Sequence, residues 1–260
     1  MYAQLYTPLP DLNLYLDRIQ ITKPAKADLK NLNDLIYAHQ CHIPFENLDI
    51  FEFHKFIDLG IEKLFEKVIL RNRGGYCFEL NTLFSAFLRE YGFKVQLCTC
   101  RILRGKDFIP PSLHCGILVT LKEKLWFCDV GYGGPMPGGA LLVEDGFEKT
   151  YWGQTFRIDR ADSYWWTVHY VSGQEQEKIL QFTTMPQKPV EFLAPNEYCS
   201  RNENSVFLNE RLVNMRTKNG SLSIVNDTFY ETVDHVRTEK KIPSPEKLDQ
   251  LLKSRFGIIL

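Results

Sequence analysis

The 260-residue chain contains no apolar run of about 18 residues or more, so an ordinary membrane-spanning helix is excluded. It has no excess of one charge. Lys and Arg number 31 against 32 Asp and Glu, a net charge of −1. No strong electrostatic pull toward nucleic acid or an anionic membrane is expected, so neither is a predicted partner. The first residues lack a basic region followed by an apolar stretch, which argues against a signal peptide and for a cytoplasmic protein. Internal repeats and low-complexity tracts are absent. Seven cysteines are an odd count and do not form a secreted-type framework, which fits a reducing compartment. No paired C-x-x-C spacing is present. Cys98, Cys100, Cys128 and His114 can be drawn as a zinc site, but their spacing matches no such pattern, and no metal is expected.

What is present describes a globular chain, 44% hydrophobic and 13% aromatic. Up to about Tyr91 the signals are mainly helical. Leu12, Tyr15, Leu16 and Ile19 recur at helical spacing. Asp28 is placed to cap a helix carrying Leu29, Leu32, Leu35 and Ile36, which ends near Pro44. Ile61, Leu64, Phe65, Val68 and Ile69 form another stripe. After Arg73-Gly74-Gly75, the series Leu80, Leu83, Phe84, Phe87, Leu88, Tyr91 predicts an amphipathic helix stopped by Gly92. From Phe93 to about Phe182 the pattern alternates as strands do, with a hairpin around Lys122-Glu123-Lys124. Residues 185–189 read as a connector. The remainder mixes strands (221–225 and 228–233) with a last helix, 246–255, introduced by Ser244-Pro245. The fold class is α+β.

Three residues carry a possible chemistry. Cys77 sits at a predicted helix start after a glycine turn. The positive end of the peptide dipoles favours a thiolate there, and Gly74 and Gly75 leave room for a tight turn and a substrate. A nucleophilic cysteine needs a base within hydrogen-bond reach and a group to orient that base. Six histidines are available. His114 opens an apolar strand after Pro110-Pro111-Ser112, at a place where a side chain can face a cleft. A lone histidine at a strand start is more often structural. Across the hairpin, however, Asp129 lies among Trp126, Phe127, Cys128 and Val130, where a carboxylate is costly unless paired. Bonding to an imidazole N–H is one solution. The two positions share a face only if the hairpin loop is even or a bulge intervenes. Residues 131–139, rich in Gly and Pro, follow either as an ordinary turn cluster or as a loop offering N–H groups to phosphate or an acyl oxygen.

These residues resemble a known family. Arg73-Gly74-Gly75-Tyr76-Cys77-Phe78-Glu79-Leu80-Asn81 looks like the active-site signature of the arylamine N-acetyltransferases. Pro44-Phe45-Glu46-Asn47-Leu48 matches a second motif, and Asp129-Val130-Gly131-Tyr132-Gly133 a third, with Tyr132 where Phe is usual. The ending Phe256-Gly257-Ile258-Ile259-Leu260 also fits. The resemblance implies a helical bundle over 1–92 carrying Cys77, a β-barrel-like domain over 93–188 carrying His114 and Asp129, and an α/β lid over 189–260. The first two together would form a papain-like cysteine-enzyme core. It implies acetyl-CoA as donor, and arylamines, arylhydroxylamines or hydrazines as acceptors, through an acetyl-cysteine thioester and ping-pong kinetics. Cys77 would be nucleophile, His114 general base and acid, and Asp129 its orienter. Phe45 and Tyr132 would line the acceptor pocket, Gly131 and Gly133 would lie beside the CoA cleft, and Arg73 would pair with Glu46. Three rival readings compete: a cysteine amidase or protease, an amide synthase closing a macrolactam, and an idle binding module.

Overall fold

The first two helices are set by aspartates at their ends. The carboxylate of Asp11 accepts from the backbone N–H of Asn13 and Leu14 at 2.7 and 3.0 Å, opening α1 (Leu12–Arg18). Asp28 accepts from Asn31 N at 3.0 Å and opens α2 (Leu29–His42). Each cap satisfies a donor with no partner inside its helix. Ile43 leaves the helix in extended geometry, as the residue before Pro44 must. Three short elements follow: β1 (Phe45–Glu46), α3 (Leu48–Phe51) and α4 (Ile61–Phe65), the last running into one π turn, Glu66–Leu70. Then comes α5 (Cys77–Tyr91), ended by Gly92 at φ 111°. Every residue of α5 from Cys77 to Leu88 is buried, so this is the central helix of the molecule rather than a surface one. The computed structural model describes residues 2–22 and 26–260.

The middle of the chain is an antiparallel sheet. Its strands are β2 (Lys94–Ile102), β3 (His114–Leu121), β4 (Lys124–Cys128), β5 (Leu141–Leu142), β6 (Phe147–Tyr151), β7 (Gln154–Arg160), β8 (Trp165–Ser172) and β9 (Glu175–Thr183). They are ordered β5-β4-β3-β2-β9-β8-β7-β6. The two edges of this sheet approach one another, and Tyr151 Oη donates to the Ala140 carbonyl at 2.6 Å across the gap. The sheet is therefore a nearly closed barrel. Its interior holds Leu118, Phe127, Phe156, Val168 and Phe182, with Phe127 and Phe182 stacked at 4.1 Å. The outer face of β3, through Cys115, Ile117 and Val119, joins the core built around α5.

The last part runs α6 (Leu193–Arg201), α7 (Val206–Asn209), β10 (Leu212–Thr217), β11 (Gly220–Val225), β12 (Thr228–Val233), β13 (Val236–Lys241) and α8 (Pro245–Leu251). Ser244 caps α8, its hydroxyl accepting from Lys247 N. The second sheet is β1-β10-β11-β12-β13, so β1 from the N-terminal part pairs with a strand near the C-terminus, Phe45 opposite Asn214. The mixed helix-and-sheet class expected from the sequence is the one observed.

Candidate active site

Two stretches of the sequence meet at the start of α5. Phe45 bridges Gly75 in parallel, and Glu46 N donates to the Gly75 carbonyl at 2.9 Å. A Cβ on Gly74 would fall 2.0 Å from the Pro44 carbonyl oxygen. Gly74 therefore permits a backbone-to-backbone approach, not room for a substrate as the sequence suggested. Below this contact lies a buried charge cluster. Arg73 Nη2 reaches Glu46 Oε1 at 2.8 Å and Asp49 Oδ1 at 3.5 Å, so the expected Arg73–Glu46 pair is present. Lys67 Nζ reaches Glu79 Oε1 at 2.8 Å and Asp49 Oδ2 at 2.9 Å. Burial alone would push the Lys67 ammonium down, but Glu79, Glu46 and Asp49 together hold it above its ordinary value. Glu79 also accepts from Tyr76 N at 3.0 Å, one turn into α5, which fixes where the helix begins and so where Cys77 stands.

His114 and Asp129 are brought together by the hairpin. The turn between β3 and β4 is two residues, Lys122 and Glu123, both with positive φ, which suits the twist of the strands. Leu121 pairs with Lys124, so the even loop settles the register: continuing the pairing sets Asp129 opposite Gly116 and places it on the face of His114, one diagonal step away. His114 Nε2 donates to Asp129 Oδ2 at 2.6 Å. A carboxylate only accepts, so Nε2 carries the hydrogen and Nδ1 is the nitrogen able to take a proton. The other oxygen, Oδ1, accepts from Asn81 Nδ2 at 2.9 Å and Gly131 N at 2.8 Å. Asp129 is 2% exposed, and these three bonds compensate its burial.

Asn81 ties this pair to Cys77. It lies one turn after Cys77 on α5, and its Nδ2 also donates to the Cys115 carbonyl at 2.8 Å while its Oδ1 accepts from Val130 N at 3.0 Å. Cys115 Sγ in turn donates to the Cys77 carbonyl at 3.5 Å. A Cβ on Gly131 would come 2.9 Å from Cys77 Cα, so the loop after Asp129 packs directly on the start of α5. Gln40, on α2, holds the same loop, donating to the carbonyls of Asp129 at 3.1 Å and Pro137 at 2.9 Å. Cys77, His114 and Asp129 thus belong to one buried cluster. Burial, aided by Cys115, Cys199 and Asp129, pushes the Cys77 thiol well above its ordinary value, although the Phe78 backbone N–H pulls it down. Burial thus works against the thiolate that the helix start favours.

A cavity of about 960 Å³ opens beside the cluster, between the barrel and the C-terminal sheet. Phe45, Tyr132 and Gly133 line it; Gly131 instead lies against Cys77. Gly133 has φ 74°, and a Cβ there would fall 2.6 Å from the Phe45 ring. Tyr132 meets the His114 ring edge-on at 6.2 Å and 75°, and burial pushes its phenol up to about 12. Among the described residues no group of three or more His, Cys, Asp and Glu is arranged to hold a metal ion, and no helix is long and apolar enough to cross a membrane.

A family profile described as N-acetyltransferase matches residues 28–260. The arylamine N-acetyltransferase of Escherichia coli is 30% identical over 96% of this chain and 89% of its own length. The chain belongs to the arylamine N-acetyltransferase family. Arylamine N-acetyltransferases are acetyl-transfer enzymes, and their solved structures share this fold. That of Salmonella typhimurium superposes with a TM-score of 0.91 at 27% identity, covering 97% of this chain and 92% of that one. That of Mycobacterium marinum, solved in complex with CoA, gives 0.89 at 26%, covering 95% and 93%.

Three residues of the site gave weak or no signal in the sequence. Asn81 stood only as part of a motif, although its spacing of four from Cys77 puts both on one face of α5. Gln40 and Arg216 act over long separations. Arg216 Nε donates to Gln40 Oε1 at 2.8 Å across 176 residues of sequence.

Proposed function

We propose that this protein moves an acetyl group from acetyl-CoA to the nitrogen of arylamines, arylhydroxylamines or hydrazines through an acetyl thioester on Cys77. The observation that carries this reading is the short His114–Asp129 bond beside the start of α5, with Cys77 in the same buried cluster. In this reading residues 1–92 supply the nucleophile, 93–188 the base and its orienter, and 189–260 the lid over the cavity.

Because burial opposes a lone thiolate, the proton of Cys77 passes to His114 Nδ1, giving a thiolate–imidazolium pair. Asp129 stabilises the imidazolium and fixes the ring. The thiolate attacks the donor carbonyl, the C–S bond to coenzyme A breaks, and His114 returns its proton to the leaving thiolate. One thioester replaces another, so the step has little net free-energy cost. The amine then attacks acetyl-Cys77, His114 takes its proton, and the amide leaves as the Cys77 sulfur is restored. Covalent transfer of this kind gives ping-pong kinetics. The basic lining of the cavity suits a polyanionic donor: Arg104, Lys106, Arg216, Lys218 and Arg237 face it, against the one carboxylate Asp234. Phe45 and Tyr132 present aromatic surface to an aromatic acceptor. The CoA complex of the Mycobacterium marinum relative supports the choice of donor.

The test is incubation with acetyl-CoA and no amine, followed by intact mass and peptide mapping. One acetyl group on Cys77 is expected, with parallel initial-rate lines when both substrates are varied. Intersecting lines, or no acetyl-enzyme, would sink the covalent scheme. A hydrolytic amidase would act without coenzyme A.

A further inference from the structure

The cations around the cavity are not equivalent. Arg104 has a carboxylate partner, Glu177, at 2.9 Å. Among the described residues Arg216 has none within ion-pair distance. Its Nε donates to Gln40 Oε1 at 2.8 Å, and its Nη2 donates to the Met136 carbonyl. Both acceptors are neutral, and burial lowers the Arg216 pKa from its ordinary value. A half-buried guanidinium given only neutral acceptors still lacks a counter-charge. It lines the cavity, and an anion entering there would supply one.

Next to Arg216 stands an aromatic pair. Its guanidinium lies 6.0 Å from the Tyr37 ring, and Tyr37 stacks on Trp152 at 3.9 Å with 18° between planes. Trp152 sits at φ 52° in the turn between β6 and β7 and lines the same cavity. One face of the indole is covered by Tyr37, yet the residue remains 60% exposed. Gly138 makes this placement possible, since a Cβ there would fall 2.6 Å from Trp152 Cδ1. An unneutralised guanidinium next to a stacked aromatic pair whose indole is exposed is a match for one ligand chemistry, a phosphate joined to a planar base.

We propose that Arg216 and the Tyr37–Trp152 stack bind the nucleotide end of the thioester donor, the guanidinium on a phosphate group and the indole against the adenine. This assignment rests on the acetyl-CoA reading above and adds to it where the far end of the donor lies. Arg presents a planar fork to phosphate oxygens, and stacking on an aromatic ring tolerates an exposed site.

The test compares two donors on the full-length protein: acetyl-CoA, and S-acetyl-pantetheine, which carries the same thioester without the nucleotide. Arg216→Gln and Trp152→Ala are each expected to raise the KM for acetyl-CoA about tenfold. The KM for S-acetyl-pantetheine should stay within about twofold, and the wild type should use acetyl-CoA at the lower concentration. Trp152→Ala, at an exposed turn, keeps the test open if Arg216→Gln disturbs folding. If both donors weaken equally in the variants, or neither does, the assignment is overturned while the proposed function stands. A rise in KM confined to a carboxylated acceptor would overturn it too, placing the Arg216 anion on the acceptor. If the wild type accepts an acetyl group on Cys77 from neither donor, the proposed function falls and this assignment falls with it.

Discussion

Two histidines are almost fully buried, and they are held in opposite ways. His39, 0% exposed on α2, has Tyr15 Oη at 2.8 Å from Nδ1 and no partner on Nε2 among the described residues. Burial, then the nearby Arg18 and His42, pushes it down to about 3, so it is neutral throughout the physiological range. His114, 3% exposed at the start of β3, has a carboxylate on Nε2. Burial alone does not make a base. At His39 burial and the neighbouring cations keep the proton off, whereas at His114 the neighbour is a carboxylate. The helical region uses its histidine as packing that happens to be polar, and the hairpin region ties one to a carboxylate.

The sharpest way to break this contrast is to neutralise the carboxylate. Asp129→Asn keeps the shape and removes the charge. Acetylation of Cys77 is expected to slow by roughly 10²–10⁴-fold, and its alkylation profile to move to higher pH. A normal alkylation profile with a lowered melting temperature would reduce Asp129 to a structural role.

A smaller effect should follow from Asn81→Ala, which removes one of the two donors on Asp129 Oδ1 and leaves Gly131 N in place. About tenfold slower acetylation is expected, with a loss of stability of roughly 1–3 kcal/mol from the unpaired groups left behind. An unchanged rate constant in stopped-flow acetylation would show that Gly131 suffices.

On the other side of the comparison, Tyr15→Phe should cost roughly 1–3 kcal/mol in a urea melt, because His39 Nδ1 loses its partner in the core. Acetylation by the folded protein should be normal. A tenfold loss of rate would mean that His39 acts in the chemistry after all.

The gentlest test is pH. His39 binds its proton in the unfolded chain near the ordinary value of about 6.5 but in the folded protein only near about 3. Above the first value its contribution to stability is complete. As pH falls through the window the unfolded state takes up the proton first, so stability declines, by at most about 1.4 kcal/mol per pH unit. His39→Leu should flatten this part of the profile. An equal slope in wild type and variant would assign it to other groups.

The contrast also shows what could be read from one dimension. Helix ends were legible where Asp28 and Ser244 cap and where Gly92 stops α5, because those signals are local; the Asp11 cap was not read. The pairing of His114 with Asp129 was half legible. A carboxylate in an apolar run demands a partner, but the side of the sheet depended on the two-residue turn, and the sequence left Lys124 in the loop when it begins β4. β1 is two residues long and has no periodicity to detect; it exists because β10 lies beside it. The same holds for Gln40 and Arg216, whose roles are made by contacts between distant segments. The basic cavity was invisible for another reason. A net charge of −1 is an average, and the fold gathers cations from the barrel and the C-terminal sheet around one cavity.

The turn at Lys122 and Glu123 has one more consequence, for how this chain can vary in length. It is exposed and joins two surface-reaching strands, the kind of place where insertions are normally harmless. Here the turn holds a register on which the active site depends. A residue added to the loop can leave Leu121 opposite Lys124 and keep Asp129 on the face of His114, whereas a slip of β4 by one residue would carry Asp129 to the opposite side of the sheet and abolish their bond while the hairpin survives. Insertions at this turn should therefore cost activity only where they shift the register, which amide hydrogen exchange along β3 and β4 would report.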